Sequence, residues 1–365
     1  SSSVITVKTD VLALKIDLQG GDITQVALPK YTKKVDSTEP LVLMDQSQER
    51  TYIAQSGLIS VAGQPGGLDD KTTGRPSYQA EQNDFVLTEN EQALQVVLKT
   101  ATADGVEVQK IFEFKRGDYR INVRYVVKNS SAQPWTGLMF GQLKRDNSTE
   151  PSADTHSFGM VTFLGGAWWT PEKTYNKLAL SDFAKEPLNT TVMGGWVAMV
   201  QHYFVTAWIP DPKTKNVISS RVSTNGSENF IGFTAPAIVV APGAEASTEA
   251  SFYAGPKIQD RLKELSPGLE LTVDYGWLWP VAQFRFWLLK SIHGFLGNWG
   301  WSIVVLTILV KAAFFHLSAT SYRSMANMRR VMPEMQRMKE QFGSDRAKLS
   351  QAMMELYKKE KINPL

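Results

Sequence analysis

Side chains able to do acid, base or nucleophilic work are sparse in this 365-residue chain. There is no cysteine, which excludes disulfides, thiolate nucleophiles and cysteine-ligated zinc. His156 and His202 stand isolated in a β-rich stretch, where a lone imidazole is ordinarily a hydrogen-bonded structural group. Asp146, Glu150 and Asp182 fall in separate loops, and their spacing gives no support to paired acid–base work. P-loop, HExxH and GxGxxG patterns are absent. No catalytic residue, metal ligand or cofactor is therefore assigned, and the chain does not read as an enzyme. Trp168, Trp169, Trp196 and Trp208 have the chemistry of a sugar cleft, but the core and rim of a β sandwich use Trp in the same way.

The informative polar residues lie in an apolar run. Residues 299–317, WGWSIVVLTILVKAAFFHL, contain no Asp or Glu, and Lys311 is their one certain charge. As a helix the run covers about 28 Å, close to the ~30 Å hydrocarbon core of a bilayer. On a helical wheel Gly300, Lys311, Ser318 and Tyr322 fall within about 60° of Thr307, with His316 opposite. A mid-helix Lys costs ~2.5–3.5 kcal/mol on insertion scales, so such residues usually face a partner or a wet cavity. Snorkelling is the alternative, since Leu317 is only ~9 Å further along the helix. The residues alone leave both open.

The flanks supply an orientation. Residues 275–365 carry 13 Lys and Arg against 5 Asp and Glu, whereas 1–274 carry 26 against 31. The positive-inside rule puts the C-terminal side in the cytoplasm and the large N-terminal part outside, which in a Gram-negative cell is the periplasm. The acidic balance of 1–274 offers nothing to nucleic acid, so no DNA partner is expected. The opening SSSVITVKTD lacks the basic and apolar regions of a signal peptide, and a targeting segment upstream is expected.

Residues 4–255 read as β. Leu12, Leu14, Ile16 and Leu18 alternate before a Gly20-Gly21-Asp22 turn. VEVQKIFEF (106–114) leads through 115–118 into YRINVRYVV, where Tyr119, Ile121, Val123, Tyr125 and Val127 share one face. Further strands are expected at 138–143, 160–164, 192–200, 203–209, 229–233 and 248–253, which suggests a sandwich. The Gly- and Pro-rich stretch 63–77 reads as a mobile surface loop, and 256–265 as a short helix stopped by Pro267-Gly268.

Beyond 274 the pattern changes. Val281, Phe284, Leu288, Leu289, Ile292, Phe295 and Leu296 form one helical arc, with Arg285 intruding on it. Trp277, Trp279, Trp287, Trp299 and Trp301 suit anchors at a membrane interface. A helix lying in the outer interface fits this stretch, and an amphipathic helix covering a core remains open. After the span, Met335, Met338 and Phe342 form one apolar pattern, and Leu349, Met353 and Leu356 another. Gly343-Ser344-Asp345 separates them, and Pro333 is expected to start or kink the first helix, giving a basic antiparallel hairpin.

The run from Asp274 through FWLLKSIHGFLGNWGWSIVVLTILVKAAFF and SMANMRRVMPEMQRMKEQFGSDRAKLSQAMMELYKKEKINPL resembles the YidC/Oxa/Alb family of membrane protein insertases, specifically its Gram-negative YidC branch. The resemblance implies a mainly β fold with four parts. Residues 1–273 would be a large periplasmic β-supersandwich of galactose mutarotase type, 274–298 the interfacial amphipathic helix, 299–320 one transmembrane helix and 321–365 a cytoplasmic helical hairpin. It implies insertion and folding of inner-membrane proteins through a cationic hydrophilic groove, alone or with the Sec translocon, without nucleotide hydrolysis. Lys311, Thr307, Ser318 and Tyr322 would line that groove; Lys311 stands where many members have Arg, so the charge remains but the guanidinium fork does not. Nascent membrane proteins, SecDF, the ribosome and the lipid bilayer are the implied partners. Family members are multi-pass inner-membrane proteins, so further spans are expected on both sides of this stretch. A tethered carbohydrate-binding or mutarotase-like domain, and a passive scaffold of a secretion complex, are the other classes carried forward.

Overall fold

The computed structural model describes residues 3–33, 36–70, 74–149, 163–274, 279–342 and 345–359. It divides into two units, Ser1–Val273 and Asp274–Leu365. The mainly β architecture expected from the alternation is present. Among the described residues the first unit has a ten-stranded and a nine-stranded sheet. The larger runs from edge strand Asn189–Met193 to edge strand Asp84–Val86, and its centre places Lys215–Val222, Glu228–Val240, Trp135–Asp146 and Thr51–Ile59 side by side. The smaller sheet centres on Arg120–Asn129, flanked by Val106–Lys115 and Glu245–Pro256.

Alternation explains how each strand meets the core. Ile121 pairs with Phe114 and Val127 with Val108, and the inward residues Ile121, Val123, Tyr125 and Val127 are all fully buried. Trp196 and Trp208 are core residues. Their indole N–H groups donate to the carbonyls of Pro267 and Gln142 at 3.1 and 3.2 Å, which satisfies the polar edge of each buried ring. The short helix is α1, Gln259–Leu265, with Leu262 in the core.

Two expectations change here. The stretch 192–200 is not one strand: Gly194 and Gly195, both at positive φ, separate Asn189–Met193 from Val197–Val200, and the two belong to different sheets. The described part of 63–77 does lie at the surface at Gly63, Gln64 and Pro65, but it is pinned further along by the buried Asp69 and by Arg75, which pairs with it. The strand expected at 160–164 falls partly outside the described residues; a strand follows at Gly165–Trp168.

The second unit is helical: α2, Trp279–Leu296; α3, Trp299–Ala313; α4, Phe315–Phe342; and α5, Arg346–Lys359. The single helix expected over 299–320 is instead two helices whose axes bend by 62°. Phe314 makes the break, with φ −92 and ψ 9 in place of helical values, although its N–H still reaches the carbonyl of Val310 at 3.1 Å. Pro333 does not start the helix; it stands inside the 28 residues of α4, where it deprives the Arg329 carbonyl of its usual donor.

Candidate functional site

The turn between α2 and α3 is set by Asn298. Its side-chain oxygen accepts the Trp301 N–H at 3.2 Å, and its carbonyl accepts the Ser302 hydroxyl at 2.6 Å, so the first turn of α3 is capped. The His293 and Trp299 rings stack across this turn, centroids 3.8 Å apart. Ser302 and Leu306 are buried. By contrast Ile303, Ile308, Leu309, Phe314, Phe315 and Leu317 are 46–68% exposed, an apolar surface that calls for lipid or another protein rather than water.

As a helix α3 is about 22 Å long, shorter than the bilayer's hydrocarbon core. Among the described residues no single helix is long and apolar enough to cross a membrane, but α3 and α4 together pass that test as a bent pair. Thr307 and Lys311 share a face of α3, one turn apart, and both are exposed; the Thr307 hydroxyl donates back to the Ile303 carbonyl at 2.7 Å. Ser318 and Tyr322, also exposed, repeat that spacing on α4. The bend therefore divides the expected polar stripe into two pairs.

In the hairpin, Val331 and Leu356 are buried, with Met328, Met335, Met338 and Tyr357 packed against them. Asp345 caps α5, accepting the Lys348 N–H at 3.2 Å. Met335, Met338 and Leu356 thus meet as a seam, while Phe342, Leu349 and Met353 are half-buried outside it. Val331 and Tyr357 complete the seam, and their i+4 relation to Met335 and Met353 was the signal for them. Of the anchor tryptophans, Trp287, Trp299 and Trp301 are exposed, and Trp279 begins α2. Trp277, with His156, Glu150 and residues 363–365, lies outside the described residues.

A second constellation sits inside the β unit. The Lys110 side chain, fully buried, crosses from the nine-stranded sheet and donates to the carbonyls of Gly20 and Ser56 at 3.0 and 3.1 Å. Arg75 donates to the same two carbonyls, at 3.2 and 2.9 Å, and pairs with Asp22 and Asp69. Burial pulls the Lys110 ammonium down to about 7, with Asp22 resisting and Arg75 reinforcing the shift. Burial also opposes the Arg75 charge, but Asp22 and Asp69 outweigh it and raise its pKa; burial raises Asp69. Small residues make the room: a Cβ on Gly20, at φ +83, would lie 2.4 Å from the Arg75 side chain, and one on Gly57 2.2 Å from the Asp69 carboxylate. The sequence held a sign of this cluster. Lys110 occupies an inward position in the alternation of Val106, Val108, Phe112 and Phe114.

Among the described residues no group of three or more His, Asp or Glu is placed to hold a metal ion. His202 stacks on Tyr203 at 4.0 Å and takes no part in the cluster.

A two-sheet β unit followed by an apolar helix pair, bent by 62° and long enough together to cross a bilayer, and by a basic hairpin has the composition of a membrane protein with a large extramembrane domain. Two family descriptions match: YidC periplasmic domain over residues 4–288, and 60Kd inner membrane protein over 291–365. The chain belongs to the YidC family of inner-membrane proteins with a periplasmic domain. It is 55% identical over 366 residues to the membrane protein insertase YidC of Stutzerimonas stutzeri strain A1501, covering all of this chain and 64% of that protein. The membrane protein insertase YidC of Pseudomonas putida strain W619 shows the same identity and coverage. The chain thus spans 64% of the length of these curated relatives. Among solved structures, a galactose mutarotase related enzyme from Lactobacillus acidophilus aligns at 10% identity and TM-score 0.44, over 69% of this chain and 97% of its own. A putative aldose 1-epimerase from Escherichia coli K12 aligns at 13% identity and TM-score 0.39, over 69% and 98%. Both likenesses are loose, and the fold stands on the two sheets themselves.

Proposed function

We propose that this chain is part of a membrane protein insertase that inserts and helps fold inner-membrane proteins without enzymatic chemistry. The carrying observation is the 55% identity, across the whole chain, to proteins named membrane protein insertase. Residues 1–273 would be the periplasmic domain, 274–298 the helix in the outer interface, 299–320 the crossing shared by α3 and the start of α4, and 321–365 the cytoplasmic hairpin. The charge balance, basic after 274 and acidic before it, supports that orientation.

In this reading Lys311 and Thr307, then Ser318 and Tyr322 beyond the bend, line a wet groove open to lipid. An ammonium there is less screened than at an open surface, so it attracts acidic or polar parts of an arriving chain and lowers the work of drawing a short hydrophilic tail inward. Nascent membrane proteins are the substrates. The Sec translocon and SecDF are partners of the periplasmic side, and the ribosome is a partner of the basic hairpin. Trp277, Trp279, Trp287, Trp299 and Trp301 anchor the helices at the interface.

Complementation tests the reading. Cells depleted of their own insertase and supplied with the full-length protein should grow and insert a small single-span substrate. Failure at normal expression and membrane location would overturn it.

A further inference from the structure

The outward face of the ten-stranded sheet carries a depression of about 280 Å³, at the small end of ligand-sized clefts. The register explains it. Ser219, Gly232, Gln142 and Gln55 form one row across four neighbouring strands. Arg221, Phe230, Lys144 and Ile53 form the row on one side; Val217, Thr234, Phe140 and Gly57 form the row on the other. Gly232 is the floor. A Cβ there would lie 2.5 Å from the Gly141 carbonyl oxygen and 2.6 Å from the Gln142 Cβ, so only glycine leaves the hollow between Phe230 and Thr234.

The polar groups in the hollow are oriented from within the protein. The Asp22 carboxylate only accepts, so Gln55 turns its amide N–H₂ to it at 2.8 Å. The Gln55 side-chain carbonyl then accepts the Gln142 N–H₂ at 2.9 Å, which leaves the Gln142 side-chain oxygen Oε1 as an acceptor in the depression. Arg221 lies over the Phe230 ring at 3.7 Å, and among the described residues no hydrogen bond engages its guanidinium. Glu228, which attracts Arg221 electrostatically, is itself paired with Lys144 at 2.9 Å. Asp146, one row further on, already accepts the Thr51 N–H at 2.6 Å and the Ser148 hydroxyl.

We propose that this depression binds an acidic polypeptide segment, its carboxylate on Arg221, a main-chain N–H on the Gln142 side-chain oxygen and an apolar neighbour against Phe140 and Phe230. A guanidinium with free donors selects the carboxylate, and the aromatic walls select the apolar neighbour. The occupant class rests on the membrane-insertion reading, in which translocated segments emerge beside this domain. Binding is measured without any insertion step, so the two readings fail separately.

The test uses the chain in detergent micelles and a capped peptide, Ala-Leu-Asp-Phe-Ala, with a neutral fluorophore, read by fluorescence polarisation. The Asp peptide should bind about tenfold more tightly than its Asn twin, the worth of one charge-assisted contact. Arg221→Gln should erase that difference, and Gly232→Leu should abolish binding of both. Fluorescence of buried Trp196 and Trp208 reports whether Gly232→Leu has folded; if not, Gln142→Leu, which removes the acceptor and leaves the floor, should weaken both peptides. Equal binding of the twins, no binding of either, or indifference to Arg221→Gln would overturn the proposal.

Discussion

The Lys110 ammonium donates to the Gly20 carbonyl at 3.0 Å, from a strand of one sheet to the turn that precedes a strand of the other. This contact places a second cation in the middle of the sandwich, where Arg75 already pairs with both Asp22 and Asp69. Because burial holds the folded-state value near 7, below the ordinary 10.5, the unfolded chain binds more protons between those limits. Stability of the β unit should therefore rise as pH is raised from about 7 towards 10.5, and the gain should be lost as pH falls back through 7. Urea unfolding followed by Trp196 and Trp208 fluorescence measures it. Lys110→Met should remove this component of the slope; an unchanged slope would place the titrating group elsewhere.

Removing Arg75 should be costly. Arg75→Ala leaves Asp22 and Asp69 facing one another in the interior, and breaking a buried network of this kind costs about 3–5 kcal/mol. The exposed Lys99–Glu81 pair, at 3.0 Å, is the contrast: Lys99→Ala should change stability by less than about 1 kcal/mol. Similar losses for both variants would contradict the network.

Gly57→Ala should destabilise the same cluster sterically. The added methyl would sit 2.2 Å from the Asp69 carboxylate and 2.7 Å from the Phe140 ring, and overpacking of this kind costs about 1–3 kcal/mol. A thermal midpoint equal to that of the unchanged chain would show that the neighbours move aside freely.

The hairpin seam predicts a close, well-defined approach of α4 and α5. The Tyr357 hydroxyl lies 4.0 Å from the Met335 sulfur. Since the chain has no cysteine, spin labels at Met335→Cys and Tyr357→Cys report on that pair alone. The distance distribution should be short and narrow, and Leu356→Asp, which buries a charge in the seam, should broaden it. A broad distribution before that change would rule the seam out.

Legibility in the sequence followed locality. The strand pair at 106–129 and the seam residues Met335, Met338 and Leu356 were readable because period-two and helical spacing are local properties. Partnership across the sandwich was not. Nothing near Asp22, Asp69 or Arg75 in the chain announces that all three converge on Lys110, although a lysine at an inward position was a visible oddity. The bend at Phe314 was equally hidden, since neither Gly nor Pro stands between 311 and 317. The same break puts Ser318 and Tyr322 on a different helix from Lys311, which a wheel drawn over one continuous helix could not reveal.

The most direct test concerns Lys311. In cells depleted of the native protein, the full-length protein carrying each variant at matched levels is assayed for protease-protected insertion of a small single-span substrate with an acidic translocated segment. Lys311→Arg should insert it normally, because the charge is kept. Lys311→Ala should weaken insertion, and Lys311→Glu should be the most impaired, since repulsion replaces attraction. Insertion by Lys311→Glu at the level of the unchanged protein, for every substrate tried, would show that the lysine only snorkels and that no cationic groove is centred on it.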